Sequence, residues 1–344
     1  MLNPVEFLHR EALILDVRSP AEYIQGHIPE AVNLPLFSDN ERAVIGTLYK
    51  QKGHDAAVME GLRIVGPKMA NLVEQTVELT PEKLVSIHCW RGGMRSASVA
   101  WLLRQAGFTV EILEGGYKAY RKWVQTQFTN PLLVNVLGGQ TGTGKTRILK
   151  ELSELGEQII DLESIAHHKG SSFGGLGEKP QPTIEQFENN LVQIISKLDS
   201  KQVIWIEDES RRIGSIYLHI DFWVQLNSGP LIEISIPNTL RLDQLVKEYG
   251  IFTLDELTQA ILRIGKRLGP QHVKAALEAL NNSDLLHVAE IVLYYYDKAY
   301  DYSQAKRLTP RIEWLEFDHA DPKLIALNLI KFKNKKWKNQ SGIV

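Results

Sequence analysis

The chain has 344 residues, carries 39 Lys and Arg against 41 Asp and Glu, and contains one cysteine, Cys89. The near balance of charge excludes a globally basic nucleic-acid binder, so a nucleic acid would need a local patch. One thiol excludes an internal disulfide and any zinc site that takes two or more thiolates from this chain. No leader peptide and no apolar membrane segment is evident, so we expect a cytoplasmic protein with two domains.

The first part of the chain alternates short apolar strands with helical stretches. Strands are predicted at residues 12–16, 84–88 and 110–113, and helices at 20–25, 69–78 and 95–106. This alternation is typical of an α/β fold in which a parallel sheet carries helices on both faces. A helical stretch over residues 117–128 and the turn Asn130-Pro131 place the end of this domain at residue 129.

Residues 130–344 are predicted to form a second α/β domain. Its strands are predicted at 132–137, 158–161, 203–207, 231–236 and 314–317. Between about 255 and 306 the pattern turns helical, with apolar residues at helical spacing such as Leu254, Leu257 and Ile261. We therefore expect a small helical subdomain inserted into this domain.

Cys89 follows the predicted strand 84–88 and precedes a glycine-containing loop and a helix. Backbone amides of such a loop, together with the helix N-terminus, lower the pKa of a thiol and bind an oxyanion beside it. Arg91 and Arg95 add positive charge, and Arg95 can fork onto two oxygens. A lone cysteine is otherwise often buried and inert. The neighbouring arginines and glycines favour a nucleophile, with Cys89, Arg91 and Arg95 as the catalytic set.

Three further segments make this half of the chain similar to the rhodanese family. Residues 14–23 and 26–35 resemble its N-terminal signature, and residues 113–117 resemble its C-terminal signature. The resemblance implies that the loop cysteine carries sulfur or selenium as a persulfide or perselenide. However, five residues separate Cys89 from Arg95, one more than sulfur-carrying rhodaneses commonly have, and this spacing resembles rhodanese-fold phosphatases. The wider amide ring suits a tetrahedral phosphate, so a phosphatase remains open.

The segment from Gly139 to Thr146 fits the pattern G-x-x-x-x-G-K-[ST] and lies between a predicted strand and a predicted helix. In this pattern the amides wrap a diphosphate, the lysine reaches across it, and the last hydroxyl can ligate Mg²⁺. The predicted phosphate-binding residues are Gly139, Thr141, Gly142, Gly144, Lys145 and Thr146. Because the loop recognises a diphosphate and not a base, the motif suits ATP, GTP or another diphosphate equally.

A second acidic strand end follows at residues 203–210. Glu207 and Asp208 end an apolar strand there, in a pattern that resembles a Walker B element. Either carboxylate could hold a metal or take a proton. The alternative is a solvated strand end that is rich in acids, and the sequence leaves the metal unidentified. The glycine-rich segment at residues 167–177 is predicted at the same sheet edge, where it would close over a donor or a nucleoside.

Taken together, these motifs resemble the tRNA 2-selenouridine synthase family along nearly the full chain. The segments that carry the resemblance are residues 89–96, 138–146, 161–163 with 167–174, and 207–214. The resemblance implies an enzyme that acts on 2-thiouridine at the tRNA wobble position. It implies S-geranylation of the sulfur with geranyl diphosphate, followed by replacement of the S-geranyl group with selenium from selenophosphate.

By the same resemblance, both donors are co-substrates, no cofactor is tightly bound, and a need for Mg²⁺ is open. The implied partners are tRNA with a 5-substituted 2-thiouridine and an enzyme that supplies selenophosphate, with no membrane involved. Two other functions stay open: a rhodanese-fold cysteine phosphatase, or a sulfur or selenium carrier, each fused to a nucleotide-binding domain. The lysine-rich tail at residues 331–338 is expected to be a solvated terminus.

Overall fold

We describe residues 1–308 and 312–340 of a computed structural model of the chain, with the backbone alone at residues 336–340. The described chain divides into two compact units. One comprises residues 1–128 together with 188–193, and the other comprises the remainder. No helix within these described ranges is both long enough and apolar enough to cross a membrane.

The N-terminal unit is built from strands that alternate with helices. Its strands are β1 (Leu13–Asp16), β2 (Val32–Asn33), β3 (Leu84–His88) and β4 (Thr109–Ile112). Its helices are α1 (Pro4–Leu8), α2 (Pro20–Gln25), α3 (Asp39–Lys52), α4 (His54–Val65), α5 (Met69–Leu79), α6 (Met94–Gln105) and α7 (Gly116–Gln127). All the strands are parallel, in the order β2-β1-β3-β4.

The core of this unit surrounds β1 and β3. Leu15, Val85 and Ile87 are fully buried, and Val99 and Leu103 of α6 pack in the same cluster. Because β3 is covered on both faces of the sheet, most of its residues are apolar. The carboxyl end of β3 therefore lies at the edge of the sheet where its parallel strands end, shortly before α6 begins.

The C-terminal unit carries a larger sheet. Its strands are β5 (Val134–Gly139), β6 (Gln158–Ile160), β7 (Ile204–Glu207), β8 (Arg212–Ile213), β9 (Ile216–Tyr217), β10 (Leu231–Ser235) and β11 (Ile312–Glu316). Five of them form a parallel sheet in the order β11-β10-β5-β7-β6, while β8 and β9 form an antiparallel hairpin. Strand β5 therefore lies at the centre, between β10 and β7.

Helices connect these strands and extend beyond the sheet. They are α8 (Lys145–Glu154), α9 (Leu162–Ala166), α10 (Ile184–Ser196), α11 (Ile220–Ser228), α12 (Asn238–Tyr249), α13 (Leu254–Leu268), α14 (Pro270–Asn281), α15 (Leu285–Gln304) and α16 (Pro322–Gln340). Helices α13, α14 and α15 occupy the stretch that was predicted to be helical. Thr253 begins α13 with a capping box to Glu256, and Gly269, with a φ of +88°, separates α13 from Pro270 at the start of α14.

The predicted fold class, α/β with parallel sheets and a helical subdomain, is confirmed, and the bounds of the predicted strands differ from the observed ones by at most two residues. The described side chains of the C-terminal tail, at residues 331–335, are exposed or half-buried, as expected for a solvated terminus, and their backbone is helical. The tail continues α16, whose Ile325 and Leu329 are fully buried in the core around α8, and Lys333 pairs with Glu157. The side chain of Trp337, in the same tail, lies outside the described residues.

Candidate active sites

Cys89 lies at the carboxyl end of β3, where the chain turns through a glycine pair into α6. Its side chain is 3% exposed, and its Sγ lies 3.2 Å from Oγ of Ser96, which also bonds to the Gly93 carbonyl at 3.1 Å. Burial by itself raises the pKa of the thiol, but the hydroxyl and amide of Ser96, the amide of Arg91 and the charge of Arg95 outweigh it. The pKa of Cys89 is therefore lowered, which favours the nucleophilic thiolate.

The cysteine loop rests on the segment that begins α7. The amide of Tyr117 donates to the Cys89 carbonyl at 2.8 Å. Gly116 has a φ of +62°, and a Cβ at this position would lie 2.3 Å from the amide nitrogen of Gly92. Only glycine permits so close an approach. Gly116, in the segment that resembles the C-terminal rhodanese signature, thus allows the backbone at the start of α7 to pack directly against the cysteine loop.

The two arginines that were predicted to serve this loop are placed differently. Arg95, in the first turn of α6, donates to both carboxylate oxygens of Glu22 in α2, at 2.6 and 3.2 Å. Burial raises the pKa of Glu22, but the Arg95 hydrogen bonds and charge outweigh burial and lower it. Arg91 is exposed on the loop. Arg95 therefore acts on the thiol from a fixed position, and Glu22 is a partner that the sequence analysis missed.

A buried polar cluster immediately precedes the cysteine. Arg18 donates from Nε to both oxygens of Asp16, at 2.9 and 3.0 Å, and its guanidinium stacks 3.8 Å from the centroid of the Tyr117 ring. His88 lies between β1 and the cysteine, with Nε2 3.7 Å from an Asp16 oxygen. Burial lowers the pKa of His88 to about 4, so its imidazole is neutral near pH 7. This cluster holds together the carboxyl ends of β1 and β3, and the cysteine loop begins at the end of β3.

The phosphate loop follows β5 and leads into α8, in the context that its motif predicts. Gly142 and Gly144 have φ values of +84° and +83°, which only glycine adopts freely. Nζ of Lys145 donates to the Gly139 carbonyl at 2.5 Å, so the lysine lies across the loop. In loops of this type the lysine reaches the phosphates of the ligand.

Buried carboxylates lie next to the phosphate loop. Oγ1 of Thr146 donates to Glu163 at 2.9 Å, and the amide of Glu163 donates to Glu207 at 2.9 Å. The second oxygen of Glu207 is buried without a partner among the described residues. Burial raises the pKa of Glu207, as do the nearby charges of Asp161 and Glu163, and burial together with Glu163 raises the pKa of Glu209 to about 8. Glu163 and Glu209 were missed as site residues, although both lie in segments that carried the family resemblance.

Asp208 is placed differently from Glu207. Its carboxylate pairs with the guanidinium of Arg307, which also donates to the Leu226 carbonyl at 2.8 Å. Burial raises the pKa of Asp208, against the opposing charge and hydrogen bond of Arg307. Glu207 is thus the predicted carboxylate that keeps an unpaired oxygen. Within residues 1–308 and 312–340, no three His, Cys, Asp or Glu side chains form a metal-binding group by themselves.

Two residues from distant parts of the chain support the phosphate loop. Arg241 of α12 donates from Nε to the Thr141 carbonyl at 2.9 Å. The hydroxyl of Tyr300, in α15, accepts from the Gly139 amide at 2.9 Å and donates to Glu233 of β10 at 2.8 Å. The sequence analysis missed both residues, because no local motif marks a side chain that reaches the loop from a helix 100 or more positions away.

Comparison with known proteins adds two domain matches. A rhodanese-like domain model matches residues 5–122, and the model of the tRNA 2-selenouridine synthase AAA domain matches residues 132–314. The matched ranges contain the Cys89 loop and the phosphate loop, respectively.

Whole proteins with the name tRNA 2-selenouridine synthase are similar to the chain over most of its length. The one from Nitrosomonas europaea is 31% identical over 86% of this chain and 90% of its own. The one from Sulfurovum sp. is 36% identical over 87% of this chain and 90% of its own. The one from Bdellovibrio bacteriovorus is 35% identical over 83% of this chain and 87% of its own.

Proposed function

The chain belongs to the tRNA 2-selenouridine synthase family, and on that basis we propose that it converts 2-thiouridine at the tRNA wobble position into 2-selenouridine in two steps. Geranyl diphosphate first alkylates the sulfur, and selenophosphate then supplies the selenium. The observation that carries this proposal is the presence, in one chain, of a cysteine with a lowered pKa in an amide-lined loop and of a complete phosphate loop. Each loop suits one of the two phosphate-bearing donors.

The phosphate loop supports the first step. The thiouridine sulfur attacks the first carbon of the geranyl group, a C–S bond forms, the C–O bond breaks, and diphosphate leaves. Lys145 and the loop amides would stabilise the charge that develops on the departing diphosphate. Alkylation is chemically useful because the sulfur of a thiocarbonyl is a poor leaving group, whereas an S-alkyl group departs as a thiol.

The cysteine loop supports the second step. The amides after Cys89 would bind the tetrahedral phosphate of selenophosphate, and the thiolate would attack phosphorus: an S–P bond forms, the P–Se bond breaks, and hydrogen selenide leaves. Selenium then replaces the S-geranyl group at the base: a C–Se bond forms, the C–S bond breaks, and geranylthiol leaves. Water takes the phosphoryl group, so phosphate is the other product and the overall reaction needs no oxidant or reductant.

A magnesium ion fits the oxygen-rich side of the phosphate loop. Mg²⁺ prefers oxygen ligands and usually takes one or two carboxylates together with substrate phosphates. Thr146 and Glu163 offer such oxygens, and the unpartnered buried oxygen of Glu207 lies in the same group. When bound there, the ion would neutralise charge on the leaving diphosphate.

The tRNA substrate would place the enzyme in the cytoplasm, together with the enzyme that supplies selenophosphate.

The experiment is mass spectrometry of nucleosides from tRNA that contains a 5-substituted 2-thiouridine, after incubation with the protein and both donors. We expect the mass of S-geranylthiouridine when selenophosphate is omitted, and that of selenouridine when both donors are present. Unchanged nucleosides, together with phosphate release from a simple aryl phosphate, would instead identify a cysteine phosphatase. Selenium retained by the protein without any change in tRNA would identify a carrier.

A further inference from the structure

The C-terminal unit contains a carbon-lined cavity next to the phosphate loop. Its lining includes Thr141 of the loop, Leu245 of α12, Val292 of α15 and Phe173 of the glycine-rich segment. Phe173 and Val292 also belong to the cluster that buries the helices of the subdomain. The cavity therefore borders the apolar core of the subdomain.

Two of the polar groups around this cavity already have partners. The hydroxyl of Tyr296 accepts from the Ser172 amide at 2.9 Å, and the hydroxyl of Ser171 accepts from the Phe173 amide at 3.1 Å. Most of the surface that the lining residues present to the cavity is carbon. A nucleotide base would bury its own donors and acceptors here without partners, which is costly.

The cavity is adjacent to the phosphate loop. Thr141 lines it, and a Cβ on Gly142 would lie 3.2 Å from Cγ of Leu245, another lining residue. Arg241, one turn before Leu245 in α12, donates to the Thr141 carbonyl at 2.9 Å and fixes this helix against the loop. A diphosphate bound by the loop would therefore lie next to the cavity.

We propose that this cavity binds the isoprenoid chain of the diphosphate donor, and thereby selects a prenyl diphosphate over a nucleotide. The inference rests on the proposed function, because the donor is a prenyl diphosphate only if the chain alkylates tRNA. The cavity has a volume of about 60 Å³, which takes part of a ten-carbon chain.

The test fills the cavity and compares two substitutions on one helix. Ala289 of α15 lines the cavity, whereas Ala299, further along α15, is exposed and does not. We expect Ala289→Phe to raise the KM for geranyl diphosphate about tenfold or more, since one or two misplaced carbons in an apolar pocket cost this much. Ala299→Phe should leave it unchanged. The Ala289→Phe protein should still selenate tRNA that is already S-geranylated, which shows that it is folded.

A second variant reverses the sign of the effect. Leu245→Ala enlarges the cavity, so the ratio of kcat/KM for farnesyl over geranyl diphosphate should rise, which a merely destabilised protein would not show. Calorimetry with geranyl diphosphate and inorganic diphosphate tests the cavity without turnover. Equal affinities of the wild-type protein for the two, or equal behaviour of Ala289→Phe and Ala299→Phe, would overturn the cavity assignment. Tighter binding of geranyl diphosphate that Ala289→Phe abolishes, in a protein that leaves tRNA unmodified, would support the cavity and overturn the proposed function.

Discussion

At the scale of single residues, Ser96 has the most direct effect on the nucleophile. Its hydroxyl lies 3.2 Å from Sγ of Cys89, and its amide also favours the thiolate. We expect Ser96→Ala to raise the pKa of the thiol, because the hydrogen bond that stabilises the thiolate is lost while burial remains. Since such a bond contributes about 1 kcal/mol, alkylation of the thiol near neutral pH should slow about fivefold.

No other thiol contributes to a titration of Cys89, because the chain has one cysteine. The thiol pKa is read from the ultraviolet absorbance of the thiolate against pH, with Cys89→Ser as the blank. Ser98→Ala is the matched control, since Ser98 lies exposed on the same helix. A titration of Ser96→Ala that coincides with that of Ser98→Ala would show that the hydroxyl does not tune the cysteine.

The protonation state of Glu233, which bonds to Tyr300 beside the phosphate loop, affects the stability of the folded protein. Burial raises its pKa to about 7, against the opposing effects of the Tyr300 hydrogen bond and the Lys145 charge. A carboxyl whose pKa is higher in the folded than in the unfolded state favours folding while it is protonated. This contribution is complete below about pH 4.5 and is lost as the pH rises to about 7.

We therefore expect the wild type to lose stability relative to Glu233→Gln over that pH range, by on the order of 3 kcal/mol. The thermal midpoints of the two proteins, measured from pH 4.5 to pH 8, should diverge as the pH rises to about 7 and stay parallel above it. Glu316→Gln, on the exposed side of the neighbouring strand β11, provides the control. Parallel midpoints for Glu233→Gln and the wild type would show that this carboxyl is ionised throughout.

At the scale of elements, the start of α7 determines the shape of the cysteine loop. A Cβ at Gly116 would lie 2.3 Å from the Gly92 nitrogen and 2.4 Å from the Cys89 oxygen, at a φ of +62°. Gly116→Ala should therefore lower the free energy of unfolding by about 2 kcal/mol or more, and it should raise the thiol pKa by opening the amide ring. Gly93→Ala meets open space at an ordinary φ and should change stability by about 0.5 kcal/mol at most.

The elements with a clear local sequence pattern were predicted correctly. Strands β3 and β5 are apolar runs followed by glycine loops, so both loops were placed correctly from the sequence. Helices α3 and α4 were left unassigned, because α3 has no buried residue and therefore no clear apolar periodicity. The supports of the phosphate loop could not be predicted for a different reason: Arg241 and Tyr300 reach it through tertiary packing, which no spacing along the chain encodes.

The same distinction explains the two acidic residues that were treated alike. Glu207 and Asp208 are neighbours in sequence, and the strand pattern cannot separate their roles. Side chains alternate between the faces of a strand, so adjacent residues meet different partners. Asp208 meets Arg307, 99 positions later, whereas Glu207 meets the amide of Glu163. Only the folded chain shows which of them keeps a free oxygen beside the phosphate loop.

At the scale of the whole molecule, the proposed function assigns one of two reactions, which share one intermediate, to each unit. Cys89→Ala should stop selenation and let S-geranylated tRNA accumulate, whereas Lys145→Ala should stop the reaction before that intermediate forms. Each variant alone should yield no selenouridine. In the proposed function each side chain serves one half-reaction only: Cys89, in the N-terminal unit, serves selenation, and Lys145, in the C-terminal unit, serves alkylation.

Mixing the two variants tests whether the intermediate leaves the protein. If S-geranylated tRNA is released and rebound, Cys89→Ala protein will supply it to Lys145→Ala protein, and selenouridine will form at a rate that rises with the concentration of both. If the intermediate stays bound to one chain, the mixture will accumulate S-geranylated tRNA only. Purified S-geranylated tRNA supplied to Lys145→Ala protein is the control, since it must yield selenouridine in either case. We expect complementation, because the proposed alkylation and selenation use different donors and different loops.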